Sequence, residues 1–318
     1  MKRCKRSLFN RSIILCLILS FSWGCGAAIG FNSNPAPTML RDFPPDALML
    51  PQESERVEKG QNSGIDYGNA SEGYIMAWYT GSKQAKIQVT KMESASEAQN
   101  PSWNYDVDDP VVKEVLPLQA GSGRYKVFVA EQLEDTRYLP LVLAEFDVVI
   151  ENEFAPFLYA TKYAMFSENS FSVQKAREVT QGCTSDIEAL HKIYMYIKDT
   201  VAYDTQKAET IQSFYTPHPD ITLAEGQGIC LDYASLTCTM LRAVQIPTKL
   251  VTGRVSNDLS HAWNSVYLEN EGWVDVKIYL SLHEWEVIDL TFAAGSINSA
   301  HLAQYIGTGD IYTELKTY

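Results

Sequence analysis

Apolar residues change their spacing near residue 154, and that change constrains the fold more than any other feature. From Ile65 to about Glu153 they come in short β-branched and aromatic runs: Tyr74–Tyr79, Lys86–Thr90, Tyr125–Val129 and Glu145–Ile150. Gly81-Ser82 and Gly121-Ser122-Gly123 punctuate the runs, a pattern of antiparallel strands joined by turns. After Phe154 the pattern becomes helical. Ser185-Asp186-Ile187-Glu188 has capping-box spacing, and Ile187, Leu190, Ile193, Tyr194, Ile197 and Val201 then form one apolar stripe. Beyond the break at Gln245-Ile246-Pro247, strand patterns return at Lys249–Gly253, His261–Leu268, Gly272–Val276 and Trp285–Thr291. The predicted class is α+β: a small antiparallel β-sandwich over 65–153, then a domain of helices followed by an antiparallel sheet over 154–318.

The first residues follow different rules. Lys2, Arg3, Lys5, Arg6 and Arg11 form a basic head, and Ile13–Phe21 a short apolar segment too brief for a membrane span. This reads as an export signal over 1–25. Ser22-Trp23-Gly24-Cys25 resembles a bacterial lipoprotein processing site, with Cys25 the lipidated new N-terminus. Gly26-Ala27-Ala28 offers a conventional cleavage site instead, and an uncleaved anchor is the third reading; all three place the domains outside the cytoplasm, and the favoured lipid-anchored form holds them at the cell surface. Residues 26–64, with Pro35, Pro37, Pro44, Pro45 and Pro51 followed by the polar run Gln52–Ser63, suit an extended tether.

Residues 1–24 hold those five basic residues and no acidic ones, so their removal takes the formal charge from −13 to −18. Such a surface repels nucleic acid unless a basic patch exists, and no cluster of Lys and Arg makes one. The folded part keeps three cysteines, Cys183, Cys230 and Cys238. Three cannot all pair, and a Cys183–Cys238 bridge would leave Cys230 free. No CxxC or Cys/His cluster has zinc spacing, so no metal and no cofactor is expected. The acidic group Asp106, Asp108 and Asp109 lacks a calcium-loop pattern and reads as a solvated turn.

Chemistry concentrates in Gly226-Gln227-Gly228-Ile229-Cys230-Leu231-Asp232-Tyr233-Ala234-Ser235. A glycine-bracketed loop runs into the apolar helical run of Leu236, Met240, Leu241 and Val244, which puts Cys230 at a helix start. Unpaired N–H groups and the helix dipole favour an anion there, and such a thiol ionises more easily. The competing reading is a small buried apolar cysteine. A thiol nucleophile needs a base, and the base needs a third group to orient it. His261 and Asp289 lie downstream at strand positions that neighbouring strands can bring together.

Gly-x-Cys-x-Asp-Tyr-Ala, then Ile-Pro and a strand ending at Gly253, then His261-Ala262-Trp263, then Trp285-x-x-x-Asp289-x-Thr291 resembles the transglutaminase-like superfamily of papain-like thiol enzymes. The resemblance covers roughly residues 180–295 and implies a papain-like, transglutaminase-like C-terminal domain. It implies Cys230 as nucleophile, His261 as general base and Asp289 as the orienting carboxylate, with Asp275 the runner-up acid. Tyr203-Asp204 matches a Tyr-Asp step ahead of the nucleophile loop. The Cys230 N–H would form part of an oxyanion hole with Gln227 a candidate second donor, and Trp263 packs or shields beside the base. Trp273 meets the Trp-x-x-x-Asp spacing with Lys277, which implies an inserted hairpin around 269–284.

The expected function is attack of the thiol on a peptide or glutamine-type amide carbonyl to give a thioester. Water releases it in a protease, an amine in a transglutaminase, and hydrolysis is the favoured outcome. The expected partner is a protein or peptide substrate, with the membrane reached through the N-terminal anchor. The alternative is a catalytically silent surface-displayed binding or scaffold protein.

Overall fold

A computed structural model describes residues 48–96, 99–110, 112–211, 215–254, 260–269, 271–276 and 313–318. The signal, Cys25, most of the tether, the expected strand at Trp285–Thr291 and Asp289 all lie outside the described residues.

The N-terminal half is a sandwich of two antiparallel four-stranded sheets. One sheet orders β1 (Val57–Gly60), β2 (Ser63–Asp66), β3 (Tyr74–Tyr79) and β6 (Glu114–Pro117). The other orders β5 (Ser102–Asp106), β4 (Ala85–Lys91), β7 (Gly123–Glu134) and β8 (Arg137–Val148). Alternate residues of β4, β7 and β8, among them Ile87, Val89, Val127, Val129, Ala144 and Phe146, meet Ile65, Ile75 and Leu116 in one core. The polar run assigned to the tether is structured from its middle onward: Val57–Gly60 pairs with Ser63–Asp66. The buried Asp66 carboxylate accepts the N–H and hydroxyl of Ser54 and holds the entering chain. A polar sequence is no bar to a strand whose partner supplies its hydrogen bonds.

The C-terminal half places helices α1 (Phe171–Val179), α2 (Asp186–Thr200), α3 (Thr205–Thr210), α4 (Pro219–Glu225) and α5 (Cys230–Ala243) before a sheet. That sheet orders β13 (Gly272–Val276), β12 (Ser260–Leu268), β11 (Thr248–Arg254) and β14 (Thr313–Thr317), all antiparallel. At the start of α2, Ser185 accepts the Glu188 N–H at 3.3 Å, as the box spacing predicts. The reciprocal bond shifts by one residue, because the Glu188 carboxylate takes the Thr184 N–H at 2.9 Å. Of the predicted stripe, Ile193, Ile197 and Val201 are buried, and Ile187, Leu190 and Tyr194 flank them.

Helix α5 is the centre of this half. Every residue from Asp232 to Ala243 is buried, so it behaves as a core helix apolar on most sides. Its two charges sit near opposite ends, the acid near the N-terminus and the base near the C-terminus, in the sense the helix dipole favours. Arg242, fully buried, donates to the carbonyl of Thr248 at 2.8 and 3.0 Å, to that of Tyr159 at 2.9 Å and to the Thr161 hydroxyl at 2.9 Å. One guanidinium therefore ties α5 to the start of β11 and to the segment arriving from the sandwich. Ser235 adds a hydroxyl bond to the Tyr163 carbonyl at 2.7 Å. The two halves also share an aromatic contact, with Tyr105 of the sandwich stacked on Tyr163 and edge-on to Tyr318.

Candidate active site

Short parallel strands β9 (Ala202–Tyr203) and β10 (Gln227–Gly228) bring the Tyr-Asp step beside the nucleophile loop. Ala202 donates to Gly226 at 2.8 Å and Asp204 to Gly228 at 2.9 Å. Asp204 is occupied structurally, its carboxylate capping α3 through the Lys207 N–H at 2.8 Å. Gly226 ends α4 at φ +65°, which a glycine adopts without strain. Gly228 answers to a different constraint: a Cβ there would lie 2.7 Å from the Cβ of Asp232. The Gly-x-Cys-x-Asp spacing is thus a packing requirement, with residue 228 bare so that the side chain at 232 can fold back under the loop.

Asp232 has no solvent exposure. Its carboxylate accepts the Ile229 N–H at 2.9 Å, the Lys207 ammonium at 2.7 Å and the Tyr215 hydroxyl. Lys207 also donates to the Tyr215 oxygen at 2.7 Å and lies over its ring. A buried carboxylate persists when it is paired and its lone pairs are filled, and here the pairing fixes the residue preceding Cys230. The sequence motif contained Asp232 but gave no sign of Lys207 or Tyr215, which come from 25 and 17 residues upstream.

Cys230 begins α5, as the sequence predicts, and shares a cleft with His261, Ala262, Trp263, Asn264 and Tyr233. Its sulfur faces the backbone N–H groups of Ala262, Leu231 and Cys230. Asn264 fixes β12 against the helix by donating to the Ala234 carbonyl at 2.9 Å. His261 stands one residue inside the start of β12, opposite Gly253 on β11. The buried Trp263 stacks on it at 6.2 Å between ring centroids. Gln227 is exposed in β10 beside the loop.

The electrostatics differ from the expectation of an easily ionised thiol. Burial pushes the Cys230 thiol above its ordinary value of 9.0, against the pull of those N–H groups. Burial also holds the His261 imidazole below its ordinary 6.5. Removing solvent from both groups outweighs the helix terminus, so between these limits the pair rests as neutral thiol and neutral imidazole. Thiolate absorbance at 240 nm should accordingly develop only above pH 9, and an acid limb in activity should fall below pH 6.5. A full thiolate signal already at pH 5 would contradict this state. The stability signs follow: the unfolded chain binds more protons near His261 and releases more near Cys230. This pair therefore lowers stability as pH drops below 6.5 or rises above 9.0.

Strand register decides the role of Asp275. Asp275 lies opposite Ser265 in the β12–β13 pair, four residues along β12 from His261. Four residues span about 13 Å, beyond hydrogen-bond reach of the imidazole. Of the inserted hairpin expected around 269–284, residues 272–276 are β13 itself, paired directly to β12, and the rest lies outside the described residues.

One further expectation is corrected, the Cys183–Cys238 bridge. Cys183 and Cys238 are both free and buried. Cys238 points its thiol at the Thr248 carbonyl at 3.4 Å, whereas Cys183 belongs to a different apolar cluster. Asp108 and Asp109 are exposed in the connection after β5, as expected of a solvated turn, and Asp108 also accepts from the Lys162 ammonium at 2.7 Å and from the Thr216 hydroxyl. Among the described residues, no group of three or more His, Cys, Asp and Glu is arranged to hold a metal ion.

Residues 173–278 match the Transglutaminase-like superfamily, so the segment from α1 to the end of β13 is a transglutaminase-like domain. Among solved structures, the chain is similar to a candidate cysteine protease from Cytophaga hutchinsonii at 17% identity and TM-score 0.34, covering 64% of this chain and 77% of that one. It is also similar to a candidate protease from Parabacteroides distasonis at 14% identity and TM-score 0.30, covering 62% of this chain and 38% of that one. Red sea bream transglutaminase is similar at 11% identity and TM-score 0.33, covering 76% of this chain and 51% of that one. No curated protein matches.

Proposed function

We propose that the transglutaminase-like domain is a thiol enzyme acting on peptide or glutamine-type amide carbonyls, with Cys230 as nucleophile, His261 as base and Asp289 as the orienting acid. The observation that carries this reading is the shared cleft. A free thiol at a helix N-terminus faces backbone donors on the strand that bears the histidine. In the first step His261 takes the thiol proton, sulfur bonds to the carbonyl carbon, and the C–N bond breaks as the imidazolium protonates the departing amine. Backbone N–H groups beside the sulfur would stabilise the oxyanion that forms next to it. In the second step water or an amine attacks the thioester, and the C–S bond breaks to restore the thiol.

Hydrolysis is the favoured second step. The chain is exported and held at the cell surface by its N-terminal segment, a reading supported by the basic head, the apolar segment and Cys25. The test is to incubate the mature protein with glutamine-containing peptides, with and without a primary amine, and to follow masses of protein and peptide. A covalent acyl adduct on Cys230 with a hydrolysed peptide is the expected result. An amine-joined peptide assigns transfer instead.

Burial of the thiol favours one other reading, a catalytically silent binding module in which Cys230 is a core residue. Absence of any acyl adduct across a peptide library would establish it.

A further inference from the structure

The sandwich reaches toward the nucleophile loop through two sets of side-chain bonds joined at the adjacent residues Tyr215 and Thr216. Asp108, in the β5–β6 connection, accepts from the Lys162 ammonium at 2.7 Å and from the Thr216 hydroxyl. Lys162 is 2% exposed and also meets the buried Glu114 of β6 at 2.7 Å, so its position is fixed by the sandwich. Thr216 adjoins Tyr215, whose hydroxyl holds the Asp232 carboxylate, and Asp232 holds the Ile229 N–H at 2.9 Å. Ahead of α4, Tyr215 is thus held by the helix that bears Cys230 and Thr216, the next residue, by the sandwich.

We propose that Asp108 is a positioning residue for the catalytic domain, setting Tyr215 through Thr216 and thereby fixing the first turn of α5. The sandwich is then a working part of the active site, although it contributes no group to the cleft. An anchored loop matters because small displacements of a reacting group are costly, about 10²-fold in rate for 1 Å. Asp108 gives Tyr215 a second tie beside its bond to Lys207.

The proposal rests on the thiol-enzyme reading, but hydrogen exchange tests it without turnover. In the full chain, Asp108→Ala should raise amide exchange in the peptide spanning 226–236 by about 10-fold, with little change across α2. Where turnover is measurable, kcat should fall about 10-fold with KM nearly unchanged. Tyr215→Phe should act alike, and the double variant should lose no more than the worse single one. Asp108→Asn should recover much of the effect, since its amide oxygen still accepts from Thr216. Unchanged exchange at 226–236, an equal rise in α2, or multiplying losses in the double variant would each overturn the proposal. If exchange responds as stated while the unaltered chain forms no acyl adduct, the positioning stands and the enzyme reading fails.

Discussion

Replacing Cys230 by alanine should abolish acyl transfer, lowering kcat by about 10⁴-fold or more, with the thermal midpoint nearly unchanged. The thiol is half-buried beside backbone N–H groups, so its loss removes the nucleophile and little packing. His261→Ala should cost nearly as much, because groups that act as a unit are not additive, and the double variant should be no slower than either single one. Asp289→Ala should cost less than either, since an orienting carboxylate only fixes the imidazole. Asp275→Ala should leave the rate within about twofold, its carboxylate being about 13 Å along the sheet from the base. A single-turnover assay with a peptide ester measures all five variants. Full activity in Cys230→Ala would remove the proposed chemistry, and a large loss in Asp275→Ala would show that the acid had been misassigned.

The second large effect concerns stability. Arg242→Met keeps a long apolar side chain but deletes the donors that satisfy the Thr248 and Tyr159 carbonyls. Leaving buried acceptors unpaired costs about 1–3 kcal/mol each, and breaking a buried charged node about 3–5 kcal/mol in all. For a chain of 318 residues that lowers Tm by roughly 4–8 °C. Arg242→Lys should rescue little, because one ammonium cannot span three acceptors on two segments. Calorimetry on the two variants decides the matter, and a shift under about 2 °C in Arg242→Met would mean that water or relaxed carbonyls replace the guanidinium.

Much of this architecture was legible in sequence wherever local chemistry fixes it. The runs at Tyr74–Tyr79 and Lys86–Thr90 fall within β3 and β4, and Ser185 caps its helix. The helix start at Cys230 was readable because glycines, a short polar loop and a helical apolar run meet at one point. Strands β1, β2, β5 and β6 were missed, since Val57–Gly60 and Ser102–Asp106 carry few apolar residues and owe their form to partners across the sheet.

The sequence by itself determined the order of elements, the placing of Cys230 at the head of a helix and of His261 on a strand after it, because periodicity, caps and glycine spacing act within a few residues. Tertiary structure alone decided three other matters. It removed Asp275 from reach of the imidazole, because register is a property of two strands. It turned the thiol from easily ionised to reluctant, because desolvation depends on everything packed around a group. It enclosed Asp232 between Lys207 and Tyr215 and Arg242 among distant carbonyls, because a buried charge is satisfied by whatever the fold brings to it, however far away in the chain.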